Sequence, residues 1–513
     1  MRGFRSIKSN GRKAGLHTMA RRAITAALCA LMTVEPMLLA QELPSLGDAG
    51  GEELSWRDER QYGEEIMQQY FRRSPQYLDD PETLEYINHL GYQLVSFSGA
   101  NTINFDFFVI QDPTFNAFAL PGGFICVYTT TILAAQNESE LASVIGHEIG
   151  HVQQRHIARS LAHQKDSALI TLASLLAAIV AARAGQGEGA EAALLVGQAA
   201  SMSRQLAYSR ENEREADRVG FQILTDSGFD PQGMVDMFTL MEQGTRAYTS
   251  MAPAYLQNHP LNEERIADLM GRVRSVHTHQ HADSLDFQLI RSRLYVLRDE
   301  SNQGLQDSVL HFSDAIERHS LSSMPAAYYG LALAQLKSKH PAAAYEAAQT
   351  AQRLAGAPSA LLENLVNLTR YEAAGNDGAA RNLALSQAAD TNRRFPLSRA
   401  VAMQYADLLQ RSKRHADTVA YLRDQLALSH SDPDFYNFLS ISYAALDKKT
   451  LQHQATAEMY LLLGAASLSL EQLQLARRIS DADFYTMTEI DARIKQVTQI
   501  VQEQRDEAQA NRR

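Results

Sequence analysis

The chain has 513 residues, 45% of them apolar and 21% charged, with 28 Gly and 14 Pro. This excludes collagen-like, low-complexity and wholly disordered chains and leaves room for two or three domains. A formal charge of −11 argues against nucleic acid as a partner, since phosphate binding needs a basic surface. A mean hydropathy of −0.28 argues against a polytopic membrane protein.

The first forty residues stand apart. Arg2, Arg5, Lys8, Arg12, Lys13, Arg21 and Arg22 form a basic block with no acid, an apolar stretch runs from Ala23 to Val34, and Ala40 precedes Gln41. That order predicts a cleaved secretory signal over 1–40. The alternative is an uncleaved anchor, for which the run is short. Cys29 lies inside this segment, so cleavage leaves Cys126 alone and no internal disulfide.

From Glu52 to Leu94 apolar residues recur at three and four, as Tyr62, Ile66, Tyr70 and then Leu84, Ile87, Leu90, Leu94, which predicts two helices separated at Asp79-Asp80-Pro81. Residues 104–111 and 122–130 read as strands, joined by the Asn116–Gly123 connection. Asn137 with Glu140 three residues on marks the start of another helix, whose apolar side is Leu141, Val144, Ile145 and Val152. An Ala-rich pair of segments at 168–208 is too short to span a bilayer comfortably and reads as a helical hairpin, with contact at a membrane surface as the alternative.

Beyond residue 300 strand signals fade. Segments opening at Pro325, Pro358, Leu397 and Pro433 recur near the roughly 34-residue period of tetratricopeptide helix pairs. An irregular helical bundle is the alternative. A solenoid of such pairs binds peptides or protein partners on its concave face.

The chemistry concentrates in His147-Glu148-Ile149-Gly150-His151. Histidines four apart share a helix face and reach one metal ion, while Glu148, one residue round, is placed to act as general base on water. His-Glu-x-x-His arises by accident roughly 0.03 times in a chain of this composition. Two incidental exposed histidines are the plain alternative. A catalytic zinc keeps three protein ligands and an open position, so a third ligand is required. The best candidate lies in the acidic stretch 209–220, where Glu213 and Asp217 share a face and Glu215 is turned away. Glu213 would ligate, and Asp217 would accept the outer ring N–H of a ligand histidine, most simply His147. His156, His163, Glu211 and Glu215 are rival third ligands. Arg210, Arg214 and Arg218 alternate with the acids, so a salt-bridged surface helix is the competing view.

The HEIGH helix followed by Glu213-x-x-Ala216-Asp217-x-x-Gly220 resembles the gluzincin family of HtpX and the CAAX prenyl endopeptidase. Asn116–Gly123 upstream, and His259-Pro260 with Arg265-Ile266 downstream, are similar to further motifs of that family, although Leu261 stands where a second Pro is common. The resemblance implies that His147, His151 and Glu213 hold one Zn2+. It also favours a site role for His259, as a reversible blocking ligand or as an oxyanion donor. Arg265 would brace the site or pair with an acid. His277, His279 and His281 read as a solvated linker.

The expected fold is therefore an α+β zincin-like metalloprotease domain over 41–275, mainly helical with a small sheet. A helical linker at 276–324 and an all-α tetratricopeptide-repeat solenoid over 325–513 follow. The segment 118–128 would offer a strand edge for an extended substrate. The expected catalytic groups are Glu148, Asp217 and His259. The whole layout resembles that of family members serving outer-membrane assembly. It implies a periplasmic zinc endopeptidase whose partners are misassembled outer-membrane proteins and the beta-barrel assembly machinery. A chaperone or scaffold with a latent zinc site is the alternative.

Overall fold

The computed structural model describes residues 55–100, 103–163, 210–247, 255–256, 259–276, 280–428, 431–479 and 481–510. The signal-like segment 1–40 and the Ala-rich pair at 168–208 lie outside them. Helix α1 (Trp56–Ile66) is capped by Ser55, whose side chain accepts from the Asp58 N–H, and runs into a π turn at Met67–Phe71. Helix α2 (Pro81–Val95) starts at Asp80, which accepts from the Thr83 N–H. Pro81 takes the first turn, where its missing N–H is an orphan anyway.

Three strands follow, not the two expected. β1 (Asp106–Ile110) pairs parallel to β3 (Phe124–Tyr128), and β2 (Ala117–Leu120) pairs antiparallel to β3, in the order β1-β3-β2. Strand β2 corrects the reading of 116–123 as a connection. Its four residues are all buried, so no alternation marks them, and only pairing with β3 defines them as a strand. Asn116 C=O accepts from Tyr128 N–H at 3.0 Å. By the alternation of an antiparallel pair, the main-chain groups of Ala117 and Ala119 then turn outward from the sheet edge.

Helix α3 (Thr129–Ala134) leads to α4 (Glu138–Gln153), which is buried along nearly its whole length. Asn137 accepts from the Glu140 N–H at 2.9 Å while Glu140 reaches back to the Gln136 N–H at 2.7 Å, a capping-box exchange. Helix α4 packs on β2, β3 and α2, and on α6 (Arg210–Asp226) and α7 (Gln232–Ala247). Short α5 (His156–His163) follows it, and α8 (Glu263–Ser275) rests on α6 and α7.

The rest is helical hairpins. α9 (Leu285–Leu297) and α10 (Asn302–Arg318) are followed by α11 (Met324–Lys337) and α12 (Pro341–Ala355), then α13 (Ala360–Ala373) and α14 (Gly378–Arg394). Then come α15 (Arg399–Arg411) with α16 (His415–Leu428), α17 (Pro433–Ala445) with α18 (Lys449–Leu462), and α19 (Ala466–Arg478) before α20 (Phe484–Ala510). Ser284, Ser301, Ser323, Ser359, Ser398 and Asp432 each cap a first helix of a pair or of its partner through a side-chain oxygen. Small residues on the facing sides, such as Gly330, Ala334, Ala344 and Ala348, are buried and let helices approach closely. The segment read as a linker, 276–324, holds the hairpin α9–α10, which packs on α11.

Helix α2 ties the two halves together. Arg293 of α9 donates to Asp80 at 2.6 and 2.8 Å and to Glu82 at 3.0 Å, Asn364 of α13 donates to Glu82 at 3.0 Å, and Glu85 accepts from Ser398 Oγ and Ala400 N–H, each at 3.0 Å. One apolar core runs from α2 and the sheet through to Leu362 and Val366 of α13. His281 is pinned to this body, its Nδ1–H donating to Gly228 C=O at 3.1 Å and its ring lying 4.4 Å from that of Phe229. It is therefore not a solvated linker residue, whereas His277 and His279 lie outside the described residues. Among the described residues no helix is long and apolar enough to cross a membrane.

Candidate metal centre

The site forms where α4 and α6 cross at unusually short range. A Cβ on Gly150 would fall 3.0 Å from Ala216 O, and one on Gly220 would fall 2.9 Å from the His147 Cα and N. Small residues at 146, 150, 216 and 220 thus let the two backbones touch, which gives Ala216 and Gly220 of the acidic motif a physical role beside its carboxylates. The close crossing brings the Glu213 and Asp217 side chains of α6 onto the His147–His151 face of α4.

Four side chains converge there: His147, His151, Glu213 and His259, each fully or almost fully buried. His147 Nε2 lies 3.0 Å from His151 Nε2, 3.3 Å from His259 Nδ1 and 3.5 Å from Glu213 Oε2. Glu213 Oε1 lies 3.4 Å from His151 Nε2 and 3.0 Å from His259 Nδ1. Donors at about 2.0–2.1 Å from a tetrahedral zinc sit roughly 3.3 Å apart, so three imidazoles and one carboxylate at these separations suit such an ion.

Asp217 stands behind His147, its Oδ1 at 3.1 Å from Nδ1. Arg265 of α8 donates Nε and Nη2 to Asp217 at 2.7 Å each, places Nη1 2.8 Å from Glu213 Oε2, and donates to Pro260 C=O at 2.8 Å. Bracing the site and pairing with an acid are therefore one arrangement. It also fastens the residue next to His259.

Glu148 is fully buried, with Oε1 at 3.5 Å from His259 Nε2. Burial raises its pKa, and the His259 and His147 charges and the Ala119 N–H from the outer edge of β2 only partly oppose the rise. For His147, burial works against the imidazolium, but hydrogen bonds and charges from Asp217 and Glu213 outweigh it and lift the pKa to about 9. His151 goes well below its ordinary value because burial wins. Glu213 is held well below the carboxylate range, since the neighbouring histidines overcome its burial.

Of the rival ligands, His156, Glu211 and Glu215 are placed elsewhere, and the His163 side chain lies outside what is described. His156 stands on the far side of the His151 ring, Nδ1 to Nδ1 at 2.9 Å, and Glu215 lies beyond it, at 3.1 Å from His156 Nε2. Glu211 is exposed. Of the segment 118–128, only β2 offers an outer edge, because β3 is the central strand. Cys126 is buried in β3, and burial drives its thiol pKa up, leaving it inert.

Two contributors escaped the sequence reading. Tyr255 stacks on His259 with ring centroids 4.4 Å apart, and the His259 N–H donates to Tyr255 C=O at 2.8 Å. Its phenolic oxygen is buried and makes no hydrogen bond among the described residues. An aromatic residue one helical turn before the histidine was the available signal. Phe238 of α7 packs edge-on to His147 at 6.2 Å and carries the Arg265 guanidinium over its ring at 5.1 Å; nothing in its surroundings in the chain pointed there.

The family profile of peptidase family M48 matches residues 81–273. Over 485 residues, 94% of this chain and 97% of the relative, the chain is 30% identical to the beta-barrel assembly-enhancing protease of Escherichia coli strain K12. It is 36% identical over 298 residues to the putative beta-barrel assembly-enhancing protease of Vibrio cholerae, covering 58% of this chain and 60% of that one. The mitochondrial metalloendopeptidase OMA1 of Schizosaccharomyces pombe is 30% identical over 203 residues, 39% of this chain and 56% of the relative.

Proposed function

This chain belongs to peptidase family M48 as a metal-dependent protease, and we propose that it is a periplasmic zinc endopeptidase acting on misfolded or stalled outer-membrane proteins. One observation carries the reading: three imidazoles and a carboxylate meet at 3.0–3.5 Å in a buried pocket, with the Glu148 carboxylate beside them. The protease body would extend to about residue 275, with the helical pairs as a recognition surface. The basic and apolar segment 1–40 supports export. Likeness to beta-barrel assembly-enhancing proteases supports outer-membrane clients and the beta-barrel assembly machinery as partners.

His147, His151 and Glu213 would hold the zinc, which supplies Lewis acidity that brings a water pKa to about 7 and polarises a carbonyl. The chain's own groups do the rest. Asp217 takes the His147 Nδ1–H and so keeps the Nε2 lone pair turned inward. The outward main-chain groups of Ala117 and the Ala119 C=O would receive an extended substrate by strand pairing, which gives affinity with little sequence preference, while the Ala119 N–H stays with Glu148. Glu148 takes the proton of the attacking water and passes it to the leaving amine. His259, once away from the donor set, has an N–H to offer the developing oxyanion.

A second reading, a chaperone or scaffold with a self-repressed site, is favoured by the position of His259 Nδ1, within 3.0–3.3 Å of Glu213 and His147, where it fills the place a substrate would need. The test is zinc content and cleavage of an unfolded protein, side by side, for wild type and Glu148→Gln. One zinc in both with cleavage in wild type only supports the protease and its base. One zinc in both with no cleavage moves the assignment to the repressed reading, and no zinc in either sinks the site.

A further inference from the structure

His156 has both ring nitrogens engaged, and the order of those contacts fixes where each proton sits. His151 turns Nε2 inward, 3.0 Å from His147 Nε2 and 3.4 Å from Glu213 Oε1. A neutral imidazole offering Nε2 as a lone pair carries its proton on Nδ1. That proton meets His156 Nδ1 at 2.9 Å, so this nitrogen must accept, and the His156 proton then belongs on Nε2. There it is donated to Glu215 Oε2 at 3.1 Å, an oxygen that also accepts from Arg159 Nη1 at 2.9 Å. Along this chain no donor faces a donor.

We propose that His156 is a positioning residue for His151, and that His156 and Glu215 in series fix the tautomer and ring plane of that ligand. The proposal rests on the zinc reading of the site. It gives the two histidines of the HExxH helix different outer partners. His147 is backed directly by buried Asp217, itself clamped by buried Arg265. His151 is backed by a second imidazole, and its chain ends at a Glu215–Arg159 pair whose side chains are 30% and 40% exposed. One ligand is thus anchored inside the protein and the other near its surface. His156 itself is fully buried, its ring edge-on to that of His151 with centroids 4.9 Å apart, and with both nitrogens used it has none to turn to a metal.

The experiment uses the full chain, with zinc affinity from chelator competition and the visible d–d spectrum of the cobalt(II) form. Removing an outer partner of a ligand histidine weakens metal binding about 10–100-fold. His156→Ala is expected to fall in that range and to shift the cobalt bands. His156→Asn, whose side-chain oxygen takes the place of Nδ1 as acceptor, should recover most of the affinity. Glu215→Ala should weaken binding in the same direction by less. The double variant His156→Ala/Glu215→Ala should be no weaker than His156→Ala alone, because the two groups act in series.

An unchanged affinity and cobalt spectrum in folded His156→Ala would overturn the proposal. So would a His156→Asn protein as weak as the alanine variant with an equal drop in apo melting temperature, which would mean simple packing. If His156→Ala fails to fold, Glu215→Ala at its half-buried position decides, and wild-type affinity there refutes the chain. A wild type that binds neither metal fails the zinc reading itself, a separate outcome.

Discussion

Replacing Gly220 with alanine tests the helix crossing on which the site depends. The added Cβ would lie 2.9 Å from His147 Cα and N and 3.0 Å from Gly146 C, where contacts below 3.4 Å already force a neighbour to yield. These neighbours are helix backbone, so no side chain can swing aside, and α4 and α6 must part by about 0.5 Å. Overpacking of this kind costs about 1–3 kcal/mol, while alanine in a helix interior returns about 0.8–1.0 kcal/mol relative to glycine. The net loss is therefore roughly 0–2 kcal/mol. The functional effect should exceed what that small change suggests. Glu213 and Asp217 ride on α6 while His147 and His151 ride on α4, and a site holds its ligands to within about 0.5 Å. Gly220→Ala should weaken zinc binding at least about tenfold, read by chelator competition, with a slightly lower apo melting temperature. Gly271→Ala on α8 is the control: a Cβ there meets nothing within 4 Å, and a gain of about 0.4–1 kcal/mol with wild-type zinc affinity is expected. A Gly220→Ala protein with wild-type zinc affinity and unchanged or higher stability would refute the reasoning.

Other substitutions separate the remaining roles. Glu213→Ala should abolish stoichiometric zinc, a larger effect than the roughly 10–100-fold that an outer partner commands; retention of one zinc per chain would remove Glu213 from the ligand set. His259→Ala should keep zinc and raise basal cleavage of an unfolded protein, because Nδ1 sits among the donors at rest, whereas a fall in cleavage with zinc intact would assign His259 to substrate. Asp80→Asn keeps an N-cap for α2 but removes the charge facing Arg293, at a cost of about 1.5–3 kcal/mol. Burial raises the Asp80 pKa, but the charge and hydrogen bonds of Arg293 and the hydrogen bonds from Thr83 outweigh it and lower the value below 3.8. A lowered carboxyl stabilises the fold above its unfolded pKa and loses that stability as pH falls through its folded value. The gap between the two melting curves should therefore be full at pH 7 and 5 and close as pH falls below about 4 toward the folded value; the absence of a gap at pH 7 would mean that Asp80 acts only as a cap, a role asparagine also fills.

What the sequence by itself determined is what depends on near neighbours. Histidines four apart on one helix, a carboxylate one residue round from the first, Asn137 opening that helix and Pro81 allowed after Asp80 are all local matters of helical pitch and capping. The period of the second half and the acidic face holding Glu213 and Asp217 could be read in the same way. Tertiary structure decided whatever needed a second backbone. β2 became a strand only by pairing with β3. Glu215 pairs with His156 rather than joining the donor set, because α6 turns it toward α5 instead of α4. His259 enters the donor set from 112 residues along the chain, on a segment whose own sequence carries little helical or strand signal. The contact of the helical pairs with the protease also lies beyond local pattern, since it rests on Asp80, Glu82 and Glu85 meeting Arg293, Asn364 and the start of α15. Such long-range meetings depend on how buried surfaces fit, and fit is a property of the packed chain rather than of any stretch of it.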